Sequence, residues 1–289
     1  MVTPIQKADN LAKFLGLSEL YLKREDLHPL GSHKGRSIPL MLDHHRQSGA
    51  RSFVISSSGN AALAAALTVK EINQANPESL TTLRIFVGLH IPAEKLKRLT
   101  DLSDTNITVF QVEKPKHSAK EETKTSGTIW LRQSTDDTAL VGYEALAKEI
   151  LDGVPLVQTI FVPTSSGTTA VGLGTAFNKL NTPVAIHVVQ TTACHPFVED
   201  TRQTENSLAG AIVDKVGHRK IAVQNIIKTT GGSGWVAEDT DIESAVSELK
   251  KYEALDASPN SALALVGLKL ATASGITFSG PVVLLITGR

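Results

Sequence analysis

The chain has 289 residues, with 29 Lys+Arg against 29 Asp+Glu, so its formal net charge is zero at pH 7 with neutral histidines. Hydrophobic residues make up 41% and charged residues 20%, which is typical of a globular protein and unlike a disordered one. This balance gives no reason to expect nucleic acid or an anionic membrane as a partner. The single cysteine, Cys194, excludes an intrachain disulfide, and no apolar run suits a signal peptide or a membrane span. We therefore predict a cytoplasmic protein.

Short β-branched runs alternate with segments of helical period along the chain. The predicted strands are residues 52–56, 83–89, 107–112, 128–133, 156–164, 184–190 and 281–287. Helical patterns cover residues 60–72, 92–102, 137–151, 167–180 and 261–275, and the polar stretch 114–127 is predicted as a solvated helix or loop. Strands separated by helices imply crossover connections and parallel sheets. The predicted fold class is α/β.

Two segments share the order strand, Ser/Gly loop, small-residue helix. They read "FVISSSGNAALAAA" (53–66) and "TIFVPTSSGTTAVGL" (159–173). Small residues let a backbone approach a ligand, and a helix start offers unpaired N–H groups to an anion, although Ser and Gly also cap helices in any α/β protein. A third Gly/Ser turn, "GSHKGR" (31–36), contains Lys34. From its surroundings alone this lysine could be a solvated charge, a phosphate ligand or an amine held for covalent chemistry.

Several other kinds of site are disfavoured by the sequence. There is no G-x-G-x-x-G loop after a strand and no G-x-x-x-x-G-K-[ST] loop, which argues against nucleotide binding. The cluster "TTGGSGW" (229–235) is predicted as a turn before an acidic helix start. Cys194 and His195 lack the further ligands that zinc needs, so no metal site is predicted. No Ser-x-x-Lys or G-x-S-x-G motif points to an acyl-transfer nucleophile.

Five segments together carry a family resemblance. "TPIQKADNLAKFLGLSELYLKREDLHPLGSHKGR" (3–36) resembles the opening of fold-type II pyridoxal-phosphate enzymes, the group of threonine synthase, threonine dehydratase, cysteine synthase and the tryptophan synthase β chain. Their pattern is roughly T-P-L…L-x-x-K-x-E-x-x-x-P-x-G-S-F-K-x-R, with the lysine bonded to the cofactor. Similar segments follow in the family's order along almost the whole chain: "SSSGNAALAAA", "VGYEALAKEI", "PTSSGTTAVGL" and "VVLLITGR".

The resemblance implies pyridoxal 5′-phosphate as the cofactor. Lys34 would form a Schiff base with the cofactor aldehyde and later act as a general base, and Ser32 would assist proton transfer. Asn60 would hydrogen-bond the phenolic oxygen, and Thr287 would face the pyridine nitrogen. A neutral hydroxyl there cannot hold the nitrogen protonated as a carboxylate would. The phosphate cradle would consist of Ser165, Ser166, Gly167, Thr168 and Thr169.

The resemblance also implies where an amino-acid substrate binds. Its carboxylate would be held by Ser57, Ser58 and Gly59. Arg132 and Ser134 lie where related enzymes reach the distal end of the substrate. Arg36 and Lys23 are, with Arg132, the candidates for a second phosphate site, and each is equally explained as a surface or structural charge.

Four features depart from the family pattern. His33 stands where Phe is usual, and Ser37 stands where Gly is common. Ser258 stands where many relatives carry Glu before the Pro. The phosphate loop has one Gly where relatives often have several. These departures bear on substrate and efficiency more than on cofactor binding.

Three features favour threonine synthase within the family. They are the "SSSGNAALAAA" loop, the Thr of "TGR" as the pyridine contact, and "NSLAGAIVDKVG" (206–217), which resembles the T-I-A-x-A-I segment of threonine synthases. The expected enzyme is a lyase that converts O-phosphohomoserine to threonine plus phosphate. The alternative is a serine or threonine dehydratase. A β-replacement enzyme of the cysteine synthase type and a non-catalytic pyridoxal-phosphate-binding protein come after it.

The family architecture implies two α/β domains. The large cofactor-binding domain is predicted at residues 1–36 plus 139–289, and the small mobile substrate domain at residues 37–138. Family members are often dimers, so a homodimer is expected by analogy alone. The implied partner is a small-molecule amino-acid substrate.

Overall fold

A computed structural model describes residues 2–288, except for the side chain of Thr125. These residues form two compact units: within the described part of the chain, unit 1 is residues 2–28 plus 143–288, and unit 2 is residues 29–142. Lys34 lies in unit 2, and the predicted domain bounds, 1–36 plus 139–289 and 37–138, stay a prediction. The functional roles of the two units stay a prediction.

The strands, in chain order, are β1 (Ile5–Lys7), β2 (Leu20–Arg24), β3 (Ser52–Ser56), β4 (Thr82–Gly88), β5 (Ile107–Val112), β6 (Ile129–Trp130), β7 (Thr159–Pro163), β8 (Ala185–Thr191), β9 (Gly234–Ala237) and β10 (Val282–Ile286). The helices are α1 (Asp9–Leu15), α2 (Ile38–Gln47), α3 (Asn60–Ala75), α4 (Ala93–Thr100), α5 (Pro115–Ser126), α6 (Thr138–Gly153), α7 (Thr168–Lys179), α8 (Lys220–Thr230), α9 (Asp239–Glu253) and α10 (Pro259–Ala273). Short 3-10 turns cover Glu25–Leu27 and His33–Arg36. None of the helices described is both long and apolar enough to cross a membrane.

Unit 1 is built on a six-stranded sheet in the order β1-β2-β10-β7-β8-β9. Its strands run parallel except for the antiparallel pair of β1 and β2. The central strands β7 and β10 are buried along their whole length, as expected for parallel strands covered on both faces. Helix α10 is also largely buried, since Leu263, Leu265 and Val266 belong to the same core as Phe161 and Leu284.

Unit 2 has a four-stranded parallel sheet in the order β5-β4-β3-β6. Alanines at 62, 64, 65 and 66 of α3 are fully buried. They pack in one core with Phe53 of β3 and Ile85 of β4. These small side chains explain why the segment after β3 reads as an alanine-rich helix.

The predicted fold class is confirmed, with two α/β units and parallel sheets. The polar stretch 114–127 is mostly the helix α5. The prediction of a strand over 128–133 is too long, because only Ile129 and Trp130 pair as β6. The predicted turn at 229–235 is also too long: Gly231 ends α8 with φ 72°, and β9 already begins at Gly234.

One buried polar network in unit 1 joins four residues of the family motifs. Lys23 is fully buried, and its ammonium donates to Glu149 Oε2 at 2.5 Å and to the Thr3 carbonyl at 2.7 Å. Thr3 donates in turn from its hydroxyl to Glu25 and from its backbone N–H to Glu149. A buried ammonium needs such partners, because leaving it unpaired would be costly. Lys23 is therefore a structural charge, and it is removed from the candidates for a second phosphate site.

Candidate active site

Lys34 lies in the 3-10 turn His33–Arg36, which begins at Ser32. The side chain of Ser32 is fully buried and accepts a hydrogen bond from the backbone N–H of Lys34 at 3.2 Å. Gly31 has φ 82°, and a β-carbon there would lie 3.0 Å from Leu63 of α3. The turn that carries the lysine amine is thus shaped by Ser32 and lies against α3. A role of Ser32 in proton transfer stays a prediction.

The backbone that follows Lys34 is held from two sides. Ser37 is fully buried, and its N–H and hydroxyl donate to the Lys34 carbonyl at 3.2 and 3.4 Å, while its oxygen accepts from Nε2 of Gln133. Gly142 of α6 lies so close that a β-carbon on it would be 2.0 Å from the Arg36 carbonyl oxygen. Ser37, where the family commonly has glycine, therefore connects the Lys34 carbonyl to Gln133 through two hydrogen bonds.

The predicted substrate residues follow the carboxyl ends of two neighbouring strands in the unit 2 sheet. Ser57, Ser58 and Gly59 follow β3, and Arg132 and Ser134 follow its parallel neighbour β6. Carboxyl ends of parallel strands line the edge where ligands bind in open α/β sheets. The topology thus places the two predicted parts of the substrate site at neighbouring strand ends.

The loop after β3 leads directly into α3. Gly59 N–H donates to Ser57 Oγ at 3.3 Å, and Asn60 is the first residue of α3. No side chain among the residues described caps the start of this helix. Its first N–H groups are therefore suited to an anion such as a carboxylate.

The loop after β6 is anchored at both ends. The Arg132 guanidinium lies 4.9 Å from the ring centroid of Trp130, so the two side chains form a cation–π interaction. Asp136 accepts from His45 Nε2 at 2.8 Å and from the N–H of Thr138 at 2.9 Å. Burial opposes ionisation of Asp136, but these hydrogen bonds outweigh it, so the pKa of this carboxyl is lowered. Ser134, between the anchors, is buried.

The predicted phosphate loop in unit 1 follows β7 and begins α7. Gly167 has φ 82°, and a β-carbon there would lie 2.5 Å from Val223. Ser165 Oγ accepts from the N–H of Val213 at 3.1 Å, and the hydroxyls of Ser166 and Thr168 are 2.9 Å apart. No side chain of the residues described caps α7, so a tight loop presents helix N–H groups with hydroxyls around them.

Thr287 directly follows β10, the parallel neighbour of β7. Its side chain is buried, and its Oγ1 lies 3.3 Å from Ser261 Oγ at the start of α10. The predicted phosphate loop and Thr287 thus lie at the same edge of the unit 1 sheet, at the carboxyl ends of β7 and β10. The last residue of the "VVLLITGR" segment, Arg289, lies outside the described residues.

The comparison with protein families identifies the family of this chain. The model of the family described as "Pyridoxal-phosphate dependent enzyme" matches residues 1–288. The chain belongs to this family. Its cofactor is pyridoxal 5′-phosphate, as predicted.

Named relatives of this pyridoxal-phosphate-dependent enzyme include two amino-acid enzymes. It is 25% identical to the threonine synthase of Methanocaldococcus jannaschii over 95% of the chain and 70% of that protein. It is 24% identical to a catabolic L-threonine dehydratase of Staphylococcus aureus over 68% of the chain, but this match spans only 56% of the dehydratase. Among solved structures, maize serine racemase has a TM-score of 0.82 at 18% identity, covering 99% of this chain and 87% of that one. Threonine deaminase isoform 2 of Solanum lycopersicum has a TM-score of 0.81 at 17% identity, with coverages of 99% and 83%. The prediction of fold type II is confirmed.

The donor groups of this enzyme fit the cofactor chemically. The start of α7 offers N–H groups and hydroxyls, which suit a phosphate dianion. Gly167 lets the loop pack closely against Val223, since a β-carbon there would lie 2.5 Å from that side chain. Within unit 2, Lys34 carries its amine on a turn held by Ser32 and Ser37, and within unit 1, Thr287 has a buried side chain with a hydroxyl. The part each residue plays is a proposal. No cluster of three or more His, Cys, Asp and Glu side chains able to hold a metal occurs within residues 2–288.

Some residues that support the site escaped the sequence analysis. Ser37 was visible only as a departure from the family pattern, and neither Gln133 nor Ser261 gave any signal. Gly142 is the second residue of the "VGYEALAKEI" segment, yet the reason for a glycine there appears only in its distance from Arg36. In each case the partner is distant in the chain, so no local pattern reveals it.

Proposed function

We propose that this enzyme is a lyase of the threonine synthase type, converting O-phospho-L-homoserine and water into L-threonine and inorganic phosphate. The observation that carries the proposal is the extent of the threonine synthase match, which covers 95% of the chain against 68% for the dehydratase. At 25% identity this supports a shared reaction class more than a shared substrate, so the substrate needs its own test.

Lys34 is the proposed catalytic residue. Its amine would hold the cofactor aldehyde and, once released, would take the proton from the substrate Cα. The bonds from Ser37 to the Lys34 carbonyl, at 3.2 and 3.4 Å, support this role because they fix the backbone from which the amine extends. When bound, pyridoxal phosphate supplies the electron sink for the charge that develops at Cα.

The remaining site residues are proposed to bind and orient. The loop Ser57–Gly59 would hold the substrate carboxylate, and Asn60 would donate to the phenolic oxygen of the cofactor. Arg132, with Ser134, would face the distal phosphate of the substrate, and Thr287 the ring nitrogen. The phosphate of the cofactor would be held by the loop that begins α7: Ser165, Ser166, Gly167, Thr168 and Thr169.

A serine or threonine dehydratase is the second candidate. It is favoured by the dehydratase relatives and by one feature of the structure: Lys23 is committed to Glu149 and is not a ligand for a distal phosphate. A dehydratase eliminates the β-hydroxyl as water and needs no second anion site. A β-replacement reaction and cofactor binding without catalysis rank after these two candidates. Homodimer formation and a cytoplasmic location also stay predictions.

The deciding experiment is phosphate release from O-phospho-L-homoserine by the cofactor-loaded protein. Release with L-threonine as co-product is expected from the native protein and not from Lys34→Ala. Lys179→Ala is the matched control, because Lys179 is an exposed lysine at the end of α7.

The other outcomes separate the candidates. Keto-acid formation from L-threonine or L-serine without phosphate release would replace the proposal with the dehydratase. A yellow protein without turnover on any of these substrates would favour cofactor binding without catalysis or a β-replacement reaction. Colour that survives Lys34→Ala and borohydride reduction that labels another lysine would overturn the assignment of Lys34.

A further inference from the structure

Gln190 of β8 is fully buried and binds two backbone groups in different segments of unit 1. Its Nε2 donates to the Thr164 carbonyl at 3.3 Å, and its Oε1 accepts from the Phe197 N–H at 3.0 Å. These two partners fix the orientation of the amide, because a carbonyl can only accept and an N–H can only donate. Thr164 lies between the end of β7 and Ser165, the first residue of the predicted phosphate loop. Gln190 therefore connects the start of that loop to the segment around Phe197.

The ring of Phe197 packs against the middle of the same loop. A β-carbon on Gly167 would lie 3.3 Å from Cζ of this ring, and one on Gly217 would lie 3.3 Å from its Cε1. Both glycines have positive φ, of 82° and 60°, a conformation that favours glycine. Phe197 is only 3% exposed. Its ring is therefore enclosed between the predicted phosphate loop and the turn at Gly217, while Gln190 holds its backbone.

The bond from Gln190 begins where the pairing of β7 with β8 ends. Pro163, the last residue of β7, is aligned with Val189, and the Thr164 N–H donates to the Val189 carbonyl at 2.8 Å. The chain then turns away from the sheet to begin α7. A buried carbonyl at such a turn still needs a donor, and the Gln190 side chain supplies one to Thr164.

We propose that Gln190 is a positioning residue for the phosphate group of the cofactor. It holds Thr164 and Phe197 so that the N–H groups at the start of α7 are fixed before the phosphate binds, and a site formed in advance avoids the cost of ordering a loop on binding. The inference rests on the proposed assignment of the phosphate to residues 165–169, and it is independent of the substrate. Gln190 itself lies outside that loop and acts through it.

The test compares two ligands of the whole chain freed of cofactor: pyridoxal 5′-phosphate, and pyridoxal, which lacks the phosphate. The dissociation constant of pyridoxal divided by that of pyridoxal 5′-phosphate measures the contribution of the phosphate. Gln190→Met keeps the length of the side chain and removes both hydrogen bonds, so this ratio should fall about tenfold, the effect of one to two buried hydrogen bonds. The phosphorus-31 resonance of the holoenzyme should shift in the same variant. Gln190→Asn is one methylene shorter and cannot keep both bonds, so it should also lower the ratio.

Thr230→Val is the matched control for loss of stability. Thr230 Oγ1 accepts from the N–H of Ile186 at 3.1 Å near the start of β8. The variant therefore removes a bond from the same strand at the end remote from the predicted phosphate loop. It should lower Tm without changing the ratio of the two dissociation constants.

The outcomes separate failure of this inference from failure of the loop assignment. A native ratio in both Gln190 variants, with a lowered ratio in Gly167→Ala, would overturn the role of Gln190 alone. A native ratio in Gly167→Ala would overturn the assignment of the phosphate to this loop. Equal weakening of both ligands by Gln190→Met, or a ratio lowered as much by Thr230→Val, would assign the effect to general loss of structure, which also overturns the proposal.

Discussion

A β-carbon on Gly142 would lie 2.0 Å from the carbonyl oxygen of Arg36 and 2.8 Å from the Cα of Ser37. Helix α6 therefore passes directly against the backbone of the turn that carries Lys34. Both groups in the contact are backbone, so neither can move aside as the end of a side chain would. The glycine in the recognised "VGYEALAKEI" segment is explained by this close approach.

Gly142→Ala should destabilise the protein and displace the lysine turn. Alanine normally stabilises a helix interior relative to glycine by up to about 1 kcal/mol, but here the added methyl must push backbone apart, at a cost of roughly 2 kcal/mol or more. Urea unfolding measures the stability, and the yield of borohydride-trapped cofactor measures the turn. Gly153→Ala in the same helix is the matched control, since its β-carbon would meet only the side-chain end of Ile5. Equal losses from both variants would contradict the argument.

Ser37 and Gln133 should be energetically coupled. Their hydrogen bond is buried and connects the loop after β6 with the carbonyl of Lys34. Ser37→Ala and Gln133→Leu should each cost about 1–2 kcal/mol, because each leaves the other partner without this bond. The double variant should lose less than the sum by about 1 kcal/mol in a double-mutant cycle. Both single variants should also slow attachment of the cofactor to Lys34, and strict additivity would show that the bond contributes nothing.

Gly167→Ala should weaken cofactor binding. The position has φ 82°, and the added methyl would lie 2.5 Å from Val223, so both the backbone and the space oppose it. The loop at the start of α7 should distort, and the cofactor dissociation constant should rise at least tenfold. Gly231→Ala is the control, because Gly231 has φ 72° but no atom within 4 Å of its β-carbon position. It should lower stability through backbone strain while leaving cofactor affinity unchanged; equal loss of affinity would refute the role of the loop.

The stability of unit 1 should depend on pH through His187. This side chain is buried, stacks on Phe161 at 4.6 Å and accepts from Trp235 Nε1 at 3.0 Å. Burial lowers the pKa of His187 to about 4, from an ordinary 6.5. Between pH 4 and 6.5 the unfolded chain binds more protons than the folded one. The unfolding free energy is therefore highest, as far as His187 affects it, above pH 6.5, and it decreases as the pH falls toward 4.

The shift corresponds to roughly 3 kcal/mol of unfolding free energy. His187→Gln keeps an acceptor for Trp235 but does not titrate, so its stability should fall less steeply over this range. Denaturant unfolding at several pH values between 4 and 7 measures the difference. Parallel pH profiles for the two proteins would show that His187 is not the group responsible.

Local patterns predicted most of the strands and helices that carry the site. Residues 52–56 and 107–112 coincide with β3 and β5, because β-branched runs bounded by turns are a local signal. Strand β2 was missed because "LYLKR" contains two charges in five residues. Each charge has an acidic partner: Lys23 forms an ion pair with Glu149, which is distant in the chain, and Arg24 forms one with Asp26, two residues further on.

The fold class, the family, the cofactor and the candidate lysine follow from the sequence, since alternating strands and helices and short motifs are signals between residues near one another in the chain. The tertiary structure alone decided which polar groups support that lysine and the cofactor loop. The bond between Ser37 and Gln133 joins residues 96 positions apart, and that between Lys23 and Glu149 joins residues 126 positions apart. The free energy of a buried polar group depends on the partner that folding brings to it, and no periodicity along the chain encodes that partner.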